Sequence, residues 1–538
     1  MTSVQGQIES ALMNISPQHD NPVGLMHPYW ARKPLNVIEA LVEVLSKPGD
    51  LVVDPFMGSG TTVIAALRKT RCVFASDLSP LSVFMVKSIL DISRRYPESI
   101  DFLEEYVSAI EKQVLPWFAH ENGGYVERIR YAVDGSFENG NFRLRPSELI
   151  SKKRTGNRWT TRRVCSIEGW KEHDLEYKKF QNNPVSFDDI PLRANSRIAI
   201  PRGAKLAHYY TPMNRASINI ALQIARDYVA DWKRGAALFL LSASLPLLRL
   251  SDKKASSQWP YWRPKKLLTS RNPIVVFHQR LDAICKGSEW TRSALAITKE
   301  VPIEALSGGK SSMYSIHQIP AQHLNGYANR IGQAALLLTD PPYVDHAPYL
   351  EYADCWMKIL GLPHPPNIHN EEIVKTDAPS RREDSDQYLD RLHEAFSSAS
   401  RLVKPNGFFA FFYQDIDLRH WRVILSCLTN EGFSHICTVG IPKQRRSIKT
   451  VTSPGRTLDG DLITVFIKRK VNKSAQQSVC MNDLGKLLID IARKPNRSLF
   501  DLYTKVIDFG FRHACFDALI KIGSDVRDII RSFTKEGL

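Results

Sequence analysis

The stretch "VVDPFMGSGTT", residues 52–62, decides how this chain folds. Residues 50–54 have the continuous apolar character of a buried parallel strand, preceded by a turn at Pro48 and Gly49, and residues 61–69 read as a helix. Gly58 and Gly60 therefore stand in a strand-to-helix turn, where backbone N–H groups and a helix N-terminus come close to a ligand and glycine permits the approach. A phosphate-binding loop needs a lysine directly after its last glycine, and Thr61 stands there instead. A dinucleotide fingerprint needs a third glycine at position 63, which is Val63. A second strand, "CVFASD" at 72–77, ends in Asp77, an acid placed to accept hydrogen bonds from both hydroxyls of a ribose. A nucleoside without phosphates fits this pattern.

The bulk numbers bound the rest. At 538 residues the chain exceeds the size at which one core keeps growing, so an elaborated catalytic domain plus a further module is expected. Lys and Arg outnumber Asp and Glu by 72 to 56, a net charge of +16, which favours a polyanionic partner. The longest apolar stretch, 236–250, is broken by Ser242, Ser244, Pro246 and Arg249 and reads as a buried core helix, so no membrane association is expected. The first twenty residues lack the pattern of a secretory signal, and a cytoplasmic location is expected. Eight cysteines without a C-x-x-C pair read as reduced packing residues, and the histidines show no metal-ligand spacing.

The opening stretch is similar to the S-adenosylmethionine (SAM) loop of DNA amino-methyltransferases, whose signature Asp-Pro-Phe-x-Gly-Ser-Gly-Thr-Thr it matches at all eight specified positions. The resemblance implies SAM as cofactor, with Asp54, Pro55, Phe56, Gly58, Ser59, Gly60 and Thr61 around it and Asp77 and Leu78 at the end of the second strand. Upstream, "HPYWARKP" at 27–34 resembles the segment that closes over the methionine end of the cofactor in that family, which adds His27, Tyr29, Trp30 and Lys33. In this reading the faces of Tyr29 and Trp30 meet the sulfonium and Lys33 meets the methionine carboxylate.

Far downstream, "AALLLTDPPY" at 334–343 is another apolar strand ending in an acid. Two prolines stiffen the turn and remove donors from it. Asp-Pro-Pro-Tyr is similar to the catalytic motif of enzymes that methylate exocyclic amines of adenine or cytosine. The resemblance implies that Asp340 and the Pro341 carbonyl hold the amino hydrogens, that Pro342 stiffens the turn, and that Tyr343 stacks on a base rotated out of the duplex. It also places Asp340 beside the cofactor. Methylation at cytosine carbon 5 uses a nucleophilic Pro-Cys, and the sequence has no such dipeptide.

Strand and helix alternate from 50 to 118 and again from 334, as in a doubly wound α/β sheet of the Rossmann-like methyltransferase kind. Residues 435–443 and 461–469 resemble the antiparallel strand pair that finishes such a sheet. The expected organisation is a first methyltransferase part over 1–119, an inserted target-recognition module over 120–330, a second methyltransferase part over 331–470 and a helical tail over 471–538. The insert carries basic clusters interleaved with aromatics, among them Trp259, Trp262 and Arg263, and the loop "KQRRSIK" at 443–449 adds Arg445, Arg446 and Lys449 as candidate DNA contacts. The expectation is a SAM-dependent methyltransferase acting on double-stranded DNA, at adenine N6 because Asp opens the Pro-Pro motif, in restriction-modification or phage defence with a defence-system partner protein. Cytosine N4, RNA as the substrate, and an inactive DNA-binding subunit with a SAM fold stand as alternatives.

Overall fold

A computed structural model describes residues 3–534 apart from short stretches, the longer of which are 168–176, 252–265, 443–459 and 470–480. In chain order the strands are β1 (Leu51–Asp54), β2 (Cys72–Asp77), β3 (Tyr125–Ser136), β4 (Asn141–Thr155), β5 (Arg158–Cys165), β6 (Leu267–Arg271), β7 (Lys299–Glu300) and β8 (Met313–Gln318). They continue with β9 (Ala334–Thr339), β10 (Thr376–Ala378), β11 (Arg381–Glu383), β12 (Val403–Phe412), β13 (Phe433–Pro442) and β14 (Gly460–Lys468). Eight of them form one sheet in the order β13-β14-β12-β9-β1-β2-β8-β7, parallel throughout except for β14, which runs antiparallel to both neighbours. This is the doubly wound sheet with a terminal antiparallel pair that the sequence pattern predicts.

Alternation of side chains along each strand splits the core in two. Val52, Val73, Leu336 and Phe412 pack on one face, with the helices Leu35–Leu45, Thr61–Arg68 and Pro80–Arg94. Val53, Phe74, Leu337 and Phe411 pack on the other, with Ser385–Ser400, Leu418–Asn430 and Leu499–Arg512. A parallel sheet buried on both faces needs continuous apolar strands, and that is why "LVVD" and "AALLLT" carry no alternation of their own. Strand order reverses at β1, whose neighbours are β2 on one side and β9 on the other, so the carboxyl ends of β1, β2 and β9 frame a crevice at a topological switch point.

The inserted region contains a second, antiparallel sheet in the order β5-β4-β3-β6. β7 and β8 pair in line with β2 and extend the large sheet, so the chain is back in that sheet by residue 299, ahead of the boundary expected at 330. The helices Pro212–Asp227, Asp231–Leu248 and Pro273–Leu295 share a core with the helix Glu98–Val114. The stretch 236–250 falls almost wholly in one of these buried helices, and among the described residues no helix is long and apolar enough to cross a membrane. The tail is helical and docks on the sheet, where the Tyr503 hydroxyl donates to the Asp415 carbonyl at 2.6 Å. Among the described side chains, six cysteines are free, five of them buried.

Candidate active site

The glycine turn after β1 requires its glycines. Gly58 and Gly60 adopt φ of +50° and +75°, in the left-handed region that costs an L-residue about 1–2 kcal/mol. A Cβ on Gly58 would press on the Tyr29 ring at 3.3 Å, and one on Gly60 would overlap Val86 at 2.7 Å. Asp77 anchors the turn from β2, with one carboxylate oxygen accepting from the Gly58 N–H and the other from the Ser79 N–H, both at 2.8 Å. Burial raises the Asp77 carboxyl to about 6, against the lowering effect of these two bonds.

The Pro-Pro turn after β9 lies beside it because β1 and β9 are paired. A hydrogen bond ties the two together: the Thr339 hydroxyl donates to Asp54 Oδ1 at 2.7 Å, and the same oxygen accepts from the Phe56 N–H at 3.1 Å. Burial pushes Asp54 up to about 7 despite these donors. The next residue, Asp340, meets the Lys33 ammonium at 3.2 Å, and that ammonium also reaches Asp461, at the start of β14, at 3.4 Å. Burial raises Asp340 to about 6; Lys33 works against this and Asp461 adds to it. The Tyr388 hydroxyl donates to the Pro342 carbonyl at 2.7 Å, fixing the turn from the helix behind.

Both turns open into one cleft. Of the residues singled out from sequence, Tyr29, Trp30, Lys33, Asp54, Pro55, Phe56, Gly58, Ser59, Thr61, Asp77, Leu78, Asp340 and Pro342 line it. His27, Gly60, Pro341 and Tyr343 are not on its wall. His27 is buried in the core, its ring nitrogens on the Pro28 carbonyl and the Ser242 hydroxyl at 2.7 and 2.8 Å, and desolvation lowers it to about 3, so it is a neutral packing residue. Tyr343 is buried edge-on to Tyr413 with the Lys33 ammonium 4.9 Å from its ring centroid. Trp30 has one face stacked on Tyr352 at 4.8 Å. Lys33, expected at a cofactor carboxylate, is engaged by two carboxylates of the chain itself.

Sequence reasoning missed part of the wall. Gln322, Tyr349, Glu371 and Glu372 line the cleft from segments outside every motif. Glu372 accepts from the Leu350 N–H at 3.0 Å and holds the start of the helix Tyr349–Leu360. It also stands with Glu351 and His369 in a buried group whose ligand atoms lie within 4.8 Å of one another, a grouping that residue spacing gave no sign of. The candidate DNA contacts Arg445, Arg446, Lys449, Trp259, Trp262 and Arg263 lie outside the described residues. β14, which follows the stretch 443–459, does reach the site, since Asp461 near its start is the second partner of Lys33.

Residues 9–111 match a family described as DNA methylase, of the N6/N4 type. The type II methyltransferase M.MjaII of Methanocaldococcus jannaschii is 21% identical over 401 residues, which cover 71% of this chain and 70% of that protein. Shorter likenesses join it to the type II methyltransferase M.HindIII of Haemophilus influenzae, 46% identical over 41 residues, 8% of this chain and 13% of the relative, and to M1.MboII of Moraxella bovis, 39% identical over 59 residues, 11% and 23%. Placed on the fold, the family match spans β1, the glycine turn and β2, the part of the cleft that the sequence motif had marked. Residues 9–111 thus match the N6/N4 type of DNA methylase, the likeness to M.MjaII extends over most of the chain, and these similarities support its reading as a DNA methyltransferase.

Proposed function

We propose that the chain transfers the methyl group of SAM to the exocyclic N6 amine of adenine in duplex DNA, as the modification activity of a cytoplasmic restriction-modification or phage-defence system, alongside a defence-system partner protein. One observation carries the reading: the glycine turn and the Asp340 turn, 285 positions apart at their linking hydrogen bond, open into a single cleft. The glycine turn fits SAM because Gly58 leaves the backbone bare where a Cβ would meet Tyr29, and because Asp77 lines the cleft at the end of β2, where ribose hydroxyls would meet it. Phe56, Ser59, Thr61 and Leu78 complete that wall. Bound there, SAM supplies an electrophilic methyl group.

The chain's own part is to present the amine. An aromatic amine has its lone pair delocalised into the ring, and two acceptors on its hydrogens turn that pair toward the electrophile. Asp340 offers its carboxylate and Pro341 its carbonyl. The N–C bond forms as the S–C bond breaks with its electron pair going to sulfur, and the extra proton on nitrogen leaves through Asp340 to solvent. Target recognition we assign to the β3–β6 sheet with its neighbouring helices, and backbone contact to the basic loop at 443–449. The Asp that opens the Pro-Pro motif favours adenine over cytosine. Nucleoside mass spectrometry of duplex DNA treated with the purified protein and labelled SAM tests this, and N6-methyladenine is the expected product. N4-methylcytosine alone would overturn the adenine assignment, 5-methylcytosine the amine chemistry, and label in RNA only the duplex DNA reading.

A further inference from the structure

The Lys33 ammonium is enclosed. Two carboxylates meet it, Asp340 at 3.2 Å and Asp461 at 3.4 Å, and the rings of Tyr343 and Phe412 lie 4.9 and 5.5 Å away. Its side chain is 10% exposed, against 28% for Asp340. Of the three charged groups, then, the cation is shielded and the carboxylate expected to grip the amine is open. Two carboxylates of the chain itself thus already balance this ammonium. It comes from the segment at 27–34, and Asp461 from a strand more than four hundred positions later, so a built contact rather than a local turn holds it.

We propose that Lys33, anchored by Asp461, is the positioning residue for Asp340: it orients the carboxylate and keeps it ionised, and it does not bind the cofactor's carboxylate. The inference rests on the reading of Asp340 as the amine acceptor. Two acids facing one cation leave a net negative charge, which suits a site where positive charge develops on the target nitrogen during methyl transfer. The two partners act on Asp340 in opposite senses. Lys33 favours its charged form, and Asp461 disfavours it. Burial works to lower Lys33 itself, and the two carboxylates outweigh it and hold the ammonium above its ordinary value.

Opposite effects of two substitutions form the test. In Lys33→Gln the acid limb of the kcat profile moves up by roughly one to two pH units. In Asp461→Asn it moves down. At pH 7.5 Lys33→Gln loses on the order of 10²-fold in kcat, recovers as pH is raised, and is partly rescued by Lys33→Arg, while SAM affinity by calorimetry stays at the wild-type level. A direct readout needs no turnover: in the protein without ligands, the carboxyl resonance of ¹³C-labelled Asp340, assigned with Asp340→Asn, titrates higher in Lys33→Gln and lower in Asp461→Asn. Loss of SAM affinity with kcat kept at saturating SAM would return Lys33 to the cofactor and overturn the proposal. Equal titration of Asp340 in all three proteins would also overturn it. If the wild type transfers no methyl to any DNA amine, the functional reading fails on its own, and the titration still decides whether Lys33 controls Asp340.

Discussion

Asp54 and Asp340 stand in matching places. Each ends or directly follows a buried strand, each is followed by proline, and their strands β1 and β9 are paired. Burial raises both, to about 7 and about 6. Their company separates them. Asp54 is 2% exposed and accepts from neutral donors, the Thr339 hydroxyl and the Phe56 N–H, with no ion-pair partner among the described residues. Asp340 has a cation at one side and the cleft at the other. A carboxylate that holds a turn together is satisfied by fixed neutral donors, whereas Asp340, proposed here as the amine acceptor, is paired with a cation and left open to the cleft.

Substitutions test that division, beginning with the largest effect. Asp340→Ala should lower methyl transfer by on the order of 10³-fold and leave SAM binding intact, as a tritium-transfer assay and calorimetry on one preparation would show; normal transfer would sink the assignment. Asp54→Ala should act on everything at once. It strands a buried hydroxyl and a buried N–H, each at about 1–3 kcal/mol, so thermal melts, SAM affinity and transfer should all decline together. A variant that melted normally and lost only kcat would erase the contrast between the two acids. Gly58→Val forces an L-residue into a left-handed turn against the Tyr29 ring, and SAM affinity should fall about tenfold, the equivalent of the 1–2 kcal/mol strain. Unaltered affinity would remove the glycine turn from the cofactor site.

The smallest effect is on stability against pH. Asp54 in the folded protein titrates at about 7, above the ordinary 3.8, so the native state binds the proton more tightly than the unfolded chain. Its contribution to stability is therefore fullest below pH 3.8 and is lost as pH rises through 7. Asp54→Asn keeps the acceptor oxygen and removes the titration. Denaturant melts from pH 4 to 8 should show a shallower decline for this variant than for the wild type; parallel curves would mean that Asp54 does not titrate as its burial implies.

Where function was written in short motifs, the sequence was legible. β2 lies at 72–77 as read, the antiparallel pair and the buried helix at 231–248 are where the pattern put them, and the glycine and Pro-Pro turns meet in one cleft. What escaped depends on distant partners. "HPYWARKP" offers a histidine, two aromatics and a lysine with nothing to say that His27 would find Ser242 in the core or that Lys33 would find Asp461. "MYSIHQ" has too few apolar residues to announce a strand, and only its pairing with β2 makes it one. Glu371 and Glu372 become cleft residues through the path of the chain after the Pro-Pro turn, which no local pattern encodes.

The hydrogen bond between Thr339 and Asp54 also sets a schedule for synthesis. β1 receives β2 as a neighbour within some twenty residues of chain, but its other neighbour, β9, emerges far later, since the linked positions are 285 apart. At a ribosomal pace of about 5–20 residues per second, one edge of β1 waits roughly 15–60 s for its partner. An unpaired apolar strand edge is a template for wrong pairing, so the soluble yield of this chain should respond to translation speed and to chaperone supply during that window. A nascent chain halted before β9 presents the glycine turn with no Asp340 opposite it, and an open strand edge where the cleft would be.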